Sequence, residues 1–93
     1  MAEPELEPAV QDEAPTSAAL TDYDRSHFIT YLRLLDAQED PTATWEEACR
    51  LVLRIDPAQQ PVRARRAYDT HMARARWMTE SGYQHLLREA RLY

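Results

Sequence analysis

Apolar side chains recur at helical spacing through most of this chain, and nowhere do they alternate as a strand would require. Phe28, Tyr31, Leu32 and Leu35 predict the core stripe of a first helix. A weaker stripe of Tyr23, His27 and Leu34 runs roughly 120° round the same wheel. Thr21, with Asp24 three residues on, supplies its N-cap and acidic first turn, and Asp40-Pro41 ends it. Trp45, Ala48, Cys49, Val52 and Ile55 share one face of a second helix, opened by Thr44 with Glu47 as a capping box and stopped by Asp56-Pro57. Pro61 then occupies the first position of a long third helix reaching about Glu80. Ala64, Ala67, Tyr68, His71, Ala75 and Met78 form its buried stripe. Gly82 suits the left-handed residue that closes a helix, and Tyr83, Leu86, Leu87 and Ala90 give a fourth helix one apolar face.

These elements predict an all-α fold: a small four-helix domain over residues 21–93. Helix, six-residue turn and basic helix follow in order, as in a helix-turn-helix variant with an extended turn. Residues 1–20 carry Pro4, Pro8 and Pro15, scattered apolar residues and five acids against no base. Such a segment has little surface to bury against the entropy of ordering it, which predicts a disordered acidic N-terminal tail.

Composition narrows the chemistry. A single glycine among 93 residues excludes phosphate-cradling glycine loops. The single Cys49 lies on an apolar face and cannot form an internal disulfide, which fits a reducing, cytoplasmic setting. Met1 leads straight into acids and prolines, so no signal peptide is expected, and no apolar run suits a membrane span. His27, His71 and His85 lack metal-ligand spacing, and no nucleophile stands beside a base. No catalytic residue, cofactor or metal is expected, and the chain does not read as an enzyme.

Charge leaves two candidate surfaces. The net charge is −5, and every positive side chain is arginine. Residues 21–93 are neutral overall, so the acidity belongs to the tail. Over residues 60–78 of the third helix, Arg63, Arg65, Arg66, Arg74 and Arg76 face a single acid, Asp69; in a DNA reader they would reach phosphates or guanine edges. A neutral domain with an acidic leader starts at a disadvantage for duplex binding. The other candidate is the apolar surplus of the first helix, Tyr23, His27, Tyr31 and Leu34, which suits a protein partner. On that reading Leu34→Ala or Tyr31→Ala releases the partner. Trp77 falls on the polar side of its helix, where a fourth helix could roof it.

Several segments together carry a resemblance: Leu32-Arg33-Leu34-Leu35-Asp36-Ala37, Trp45-Glu46-Glu47-Ala48, Ile55-Asp56-Pro57, Arg63-Ala64-Arg65-Arg66-Ala67-Tyr68, and Ala73-Arg74-Ala75-Arg76-Trp77-Met78-Thr79-Glu80-Ser81-Gly82-Tyr83. Over about residues 25–88 the chain resembles a proteobacterial domain family of integrative and conjugative elements, long described as a domain of unknown function. The resemblance implies an extended-turn helix-turn-helix. In some members that domain belongs to a transcriptional activator, with a positive face on DNA and the opposite face on an N-terminal partner domain. This short acidic chain looks like the stand-alone, QseM-like antiactivators linked to quorum sensing and conjugative transfer. The partners so implied are a transcriptional activator, bound through its N-terminal partner domain, and a LuxR-type regulator, with weak or no DNA binding. Glu46, Glu47, Asp56, Asp69 and Glu80 interrupt the basic character that the DNA-binding members need. The alternatives are a DNA-binding regulator using the arginine-rich helix 61–80, or a scaffold or toxin-neutralising protein.

Overall fold

A computed structural model describes residues 8–82, 84, 85, 87 and 88. The regular elements among the described residues are all helices, with no strand, in the order α1 (Asp22–Ser26), α2 (Phe28–Glu39), α3 (Trp45–Ala48) and α4 (Pro61–Trp77). A π-helical turn, Cys49–Leu53, continues α3, and a second, Met78–Gly82, continues α4. The small all-α domain predicted from the sequence is the fold observed. Of the fourth helix expected over 83–92, Gln84, His85, Leu87 and Arg88 are helical; the rest of that expectation lies outside the described residues.

Local chemistry sets the helix ends. Thr21 Oγ1 accepts from the Asp24 amide at 3.2 Å while Asp24 Oδ2 accepts from the Thr21 amide at 2.9 Å, a reciprocal cap for α1. Thr44 Oγ1 accepts from the Glu47 amide to open α3. Asp56 organises the turn into α4, its carboxylate accepting from the Ala58 amide and its carbonyl from the Gln60 amide. Pro61 then starts the helix where no amide is needed.

The first helix departs from expectation in an informative way. His27, with φ −108° and ψ 20°, breaks it into α1 and α2. The buried face of α2 is Thr30, Tyr31 and Leu34, whereas Phe28 and Leu32, assigned to the core by spacing, are 38% and 47% exposed. Phe28 and Leu32 of the expected core stripe therefore turn outward and His27 and Leu34 of the weaker stripe turn inward, while Tyr31 stays in the core. Asp24, Tyr31 and Arg74 explain the choice, because their mutual hydrogen bonds put Asp24 and Tyr31 inward and carry the side of α2 that bears Leu34 inward with them. Ala64, Ala67 and Ala75 of α4 are fully buried and have no bulk to hold that face away.

The main core joins Leu34 to Ala48, Cys49, Val52, Leu53 and Ile55 and to Ala64, Ala67 and Met72 of α4. A smaller cluster of Tyr31, Ala75 and Met78 closes the other end, with Leu20, Leu35 and Trp77 packed against it. The stripes expected for the second and third helices are thus the ones buried. Gly82 plays a different part from the left-handed cap expected of it. No glycine among the described residues has positive φ, and a Cβ at Gly82 would lie 2.7 Å from both Met78 and Trp77. Close approach, not handedness, requires glycine there.

Residues 8–20 correct part of a second expectation, that of a disordered tail over 1–20; residues 1–7 lie outside the described residues. The stretch 8–20 forms a strap along α1 and α4 in place of a detached tail: Ala14 is buried and Val10 packs against the core. Backbone groups of the strap find side-chain partners on the helices, which offsets the cost of ordering a proline-bearing segment.

Candidate functional site

The five arginines of α4 do not form one face. Arg74 is buried beneath the strap: Nε and Nη2 donate to the two carboxylate oxygens of Asp24 at 2.9 and 2.7 Å, Nη1 to the Ser17 carbonyl at 2.6 Å, and Nη2 also to the Ala19 carbonyl at 2.9 Å. Its guanidinium carbon lies 3.7 Å from the centroid of the Trp77 ring. Arg74 therefore takes no part in the nucleic-acid face expected of it, since its donors are spent on a buried carboxylate and two carbonyls. Burial alone would raise the Asp24 pKa, but hydrogen bonds from Arg74, Thr21 and Tyr31 outweigh it and hold the carboxyl at about 2.

The other four remain on the surface but differ in what they touch. Arg65 pairs with Asp69 at 3.2 Å and stacks 4.8 Å above the Trp45 ring. Arg63 Nε donates to Asp12 at 2.6 Å, and Arg66 lies 3.6 Å from Glu13. Arg76 is exposed.

The partner face expected on the first helix is also corrected. Tyr31 and Leu34 are 1% and 0% exposed. His27 is buried with its ring stacked 3.8 Å from Tyr23, and its Nε2 donates to the Ala9 carbonyl at 3.0 Å. Tyr23, half-buried, holds its hydroxyl 2.6 Å from His71 Nε2 and accepts from the Gln11 amide. His71 Nδ1 faces the Ala67 carbonyl at 2.7 Å, so Nδ1 carries the proton and Nε2 accepts from Tyr23. Burial lowers the His71 pKa below 6.5, against the opposing pull of the Ala67 carbonyl. These residues knit strap to helices and are not open to a partner. Cys49 is likewise a core residue: burial pushes its thiol up to about 11, and Sγ faces the Ala64 carbonyl.

What this packing leaves outside is the opposite side of α2. Phe28, Ile29 and Leu32 stand together in solvent. Phe28 and Leu32 rim a groove of about 410 Å³ whose floor includes Tyr31, Leu35, Ala75 and Met78. A second hollow of about 190 Å³, between Leu20, Arg25, Phe28 and Met78, adjoins it through Phe28 and Met78. The exposed apolar residues of this helix are thus Phe28, Ile29 and Leu32, none of them in the partner face expected. Trp77 is half-buried against Arg74 and stacks on His85 at 6.0 Å, close to the roofed position expected.

Among the described residues no group of histidine, cysteine and carboxylate side chains could hold a metal ion, and no helix is long and apolar enough to cross a membrane. No protein-family model matches the chain, and no curated protein matches it.

Proposed function

We propose that this protein is a non-enzymatic, cytoplasmic antiactivator: it binds a transcriptional activator and withholds it from its promoter. The observation carrying this reading is the continuous apolar surface of Phe28, Ile29 and Leu32 beside the groove over Tyr31, Leu35 and Met78. Contiguous exposed apolar surface of this kind suits a protein partner, and a groove beside a helix suits the apolar stripe of an amphipathic helix. The partner is taken to be the N-terminal domain of an activator of conjugative transfer, with a quorum-sensing regulator of the LuxR type as a further one; the sequence resemblance suggests both.

The state of α4 supports the same reading. Duplex affinity rests mainly on neutralising phosphates, and Arg74, Arg65, Arg63 and Arg66 are each engaged by a carboxylate of this chain. A reporter driven by the activator tests the proposal. Co-expression of the wild-type chain should silence it, and the Leu32→Asp variant should leave it active while remaining folded by circular dichroism. Equal silencing by both would reject the apolar face as the site of action.

A further inference from the structure

The strap meets α4 at one strip of its surface, where Arg63, Arg66 and Thr70 follow one another at helical spacing. Asp12 Oδ1 sits 2.6 Å from Arg63 Nε, Glu13 Oε1 sits 3.6 Å from Arg66 Nε, and the Ala14 amide donates to Thr70 Oγ1 at 3.1 Å. Two guanidinium groups and a hydroxyl on one helix face are a donor set suited to phosphate oxygens. Here two carboxylates occupy the positions those oxygens would take.

Placement of the acids is enforced from both sides. Upstream, Ala9 and Gln11 are held by His27 and Tyr23; downstream, Ser17 and Ala19 are held by Arg74. The segment between those clamps carries Asp12 and Glu13 in register with Arg63 and Arg66, so it competes for them at the high effective concentration of a tethered ligand. Of the five arginines on α4, Arg74 is neutralised by Asp24 and Arg65 by Asp69. The strap takes two of the remaining three.

We infer that Asp12 and Glu13 are a built-in competitor for nucleic-acid phosphate, keeping a latent duplex-binding strip on α4 closed. The inference concerns a different surface from the apolar face of α2 and stands independently of the antiactivator reading. Lifting only the stretch between the clamps would expose Arg63, Arg66 and Thr70 to a duplex while Ser17 and Ala19 stay on Arg74.

Asp12→Asn with Glu13→Gln keeps the size of both side chains and leaves both clamps intact. Fluorescence anisotropy with a short mixed-sequence labelled DNA duplex at low salt reads the outcome. The double variant should bind about tenfold or more tighter than wild type, and the logarithm of its affinity should fall with the logarithm of salt more steeply by about two, for two extra phosphate contacts. Adding Arg63→Ala and Arg66→Ala should abolish the gain, and circular dichroism should show all variants folded. Affinity equal to wild type, or a gain surviving the two alanines, would overturn the inference. Binding of polyglutamate but not duplex by the double variant would also overturn it, assigning the strip to an acidic protein.

Discussion

Arg74 and Asp24 lie fifty residues apart and meet in a two-pronged ion pair that is 3% and 0% exposed at its side chains. Around it are tied the strap, through Ser17 and Ala19, and α2, through the Tyr31 hydroxyl, which donates to Asp24 at 2.7 Å. The pair therefore decides which side of α2 faces inward and which is left in solvent.

Removing one member of such a pair strands a buried charge, at a typical cost of about 3–5 kcal/mol. Arg74→Met is expected to lower stability by that order in urea denaturation. Adding Asp24→Leu should recover much of the loss, because the stranded carboxylate is then gone. The strap should stay loosened in both variants, read as faster amide exchange at Gln11 and Ala14.

The pH dependence has two steps. The folded pKa of Asp24, about 2, lies below its ordinary 3.8, so its contribution is complete above 3.8 and is lost as pH falls toward 2. His71 is held neutral, with its pKa lowered from 6.5, so its contribution is complete above 6.5 and fades as pH falls through and below that value. Thermal midpoints across this range should fall first from His71 and again in strong acid from Asp24. His71→Gln should remove the first step; a step that survives in this variant would show that His71 is not its source.

Much of this architecture was legible in the spacing of side chains. Ala64, Ala67, His71, Ala75 and Met78 on the third helix, and Ala48, Cys49, Val52 and Ile55 on the second, are buried as their periodicity requires. The first helix misled because it carries two apolar stripes, and apolarity alone favours Phe28 and Leu32 over His27 and Thr30. What settles the matter is polar. Asp24, His27, Tyr31 and Leu34 share one spacing and Ala67, His71, Arg74 and Met78 another, each stripe containing one charge of opposite sign. A charge within an otherwise buried stripe needs a partner from the facing element, and that signal could have placed Arg74 inside. The ordering of residues 8–20 had no comparable local cue, because its hydrogen bonds go to distant side chains.

Arg54 follows the π-helical turn in the left-handed region, with φ 61° and ψ 36°, the one non-glycine residue with positive φ among those described. Such a conformation costs a residue with a Cβ about 1 kcal/mol or more, and glycine adopts it freely. Arg54→Gly should raise the thermal midpoint by several degrees, despite the greater freedom of glycine in the unfolded chain. A lower midpoint would show that the Arg54 side chain is itself stabilising.

The Thr30 hydroxyl is buried and has no hydrogen-bond partner among the described residues. Thr30→Val replaces it with a methyl group of similar shape and should stabilise by about 1 kcal/mol or more, since an unsatisfied buried hydroxyl costs that order. Unchanged or reduced stability in urea denaturation would show that the hydroxyl is satisfied in solution.

Central to the proposal is capture of an activator by the outer face of α2. The direct measurement is quantitative affinity capture from cells that encode both proteins, comparing wild-type, Leu32→Ala and Arg63→Glu baits of equal stability. Truncating a central apolar contact typically costs about 2 kcal/mol, close to thirtyfold in affinity. Wild-type and Arg63→Glu baits should therefore retain a transcriptional activator that the Leu32→Ala bait loses. Retention by Leu32→Ala together with loss by Arg63→Glu would contradict the assignment and place the interface on α4.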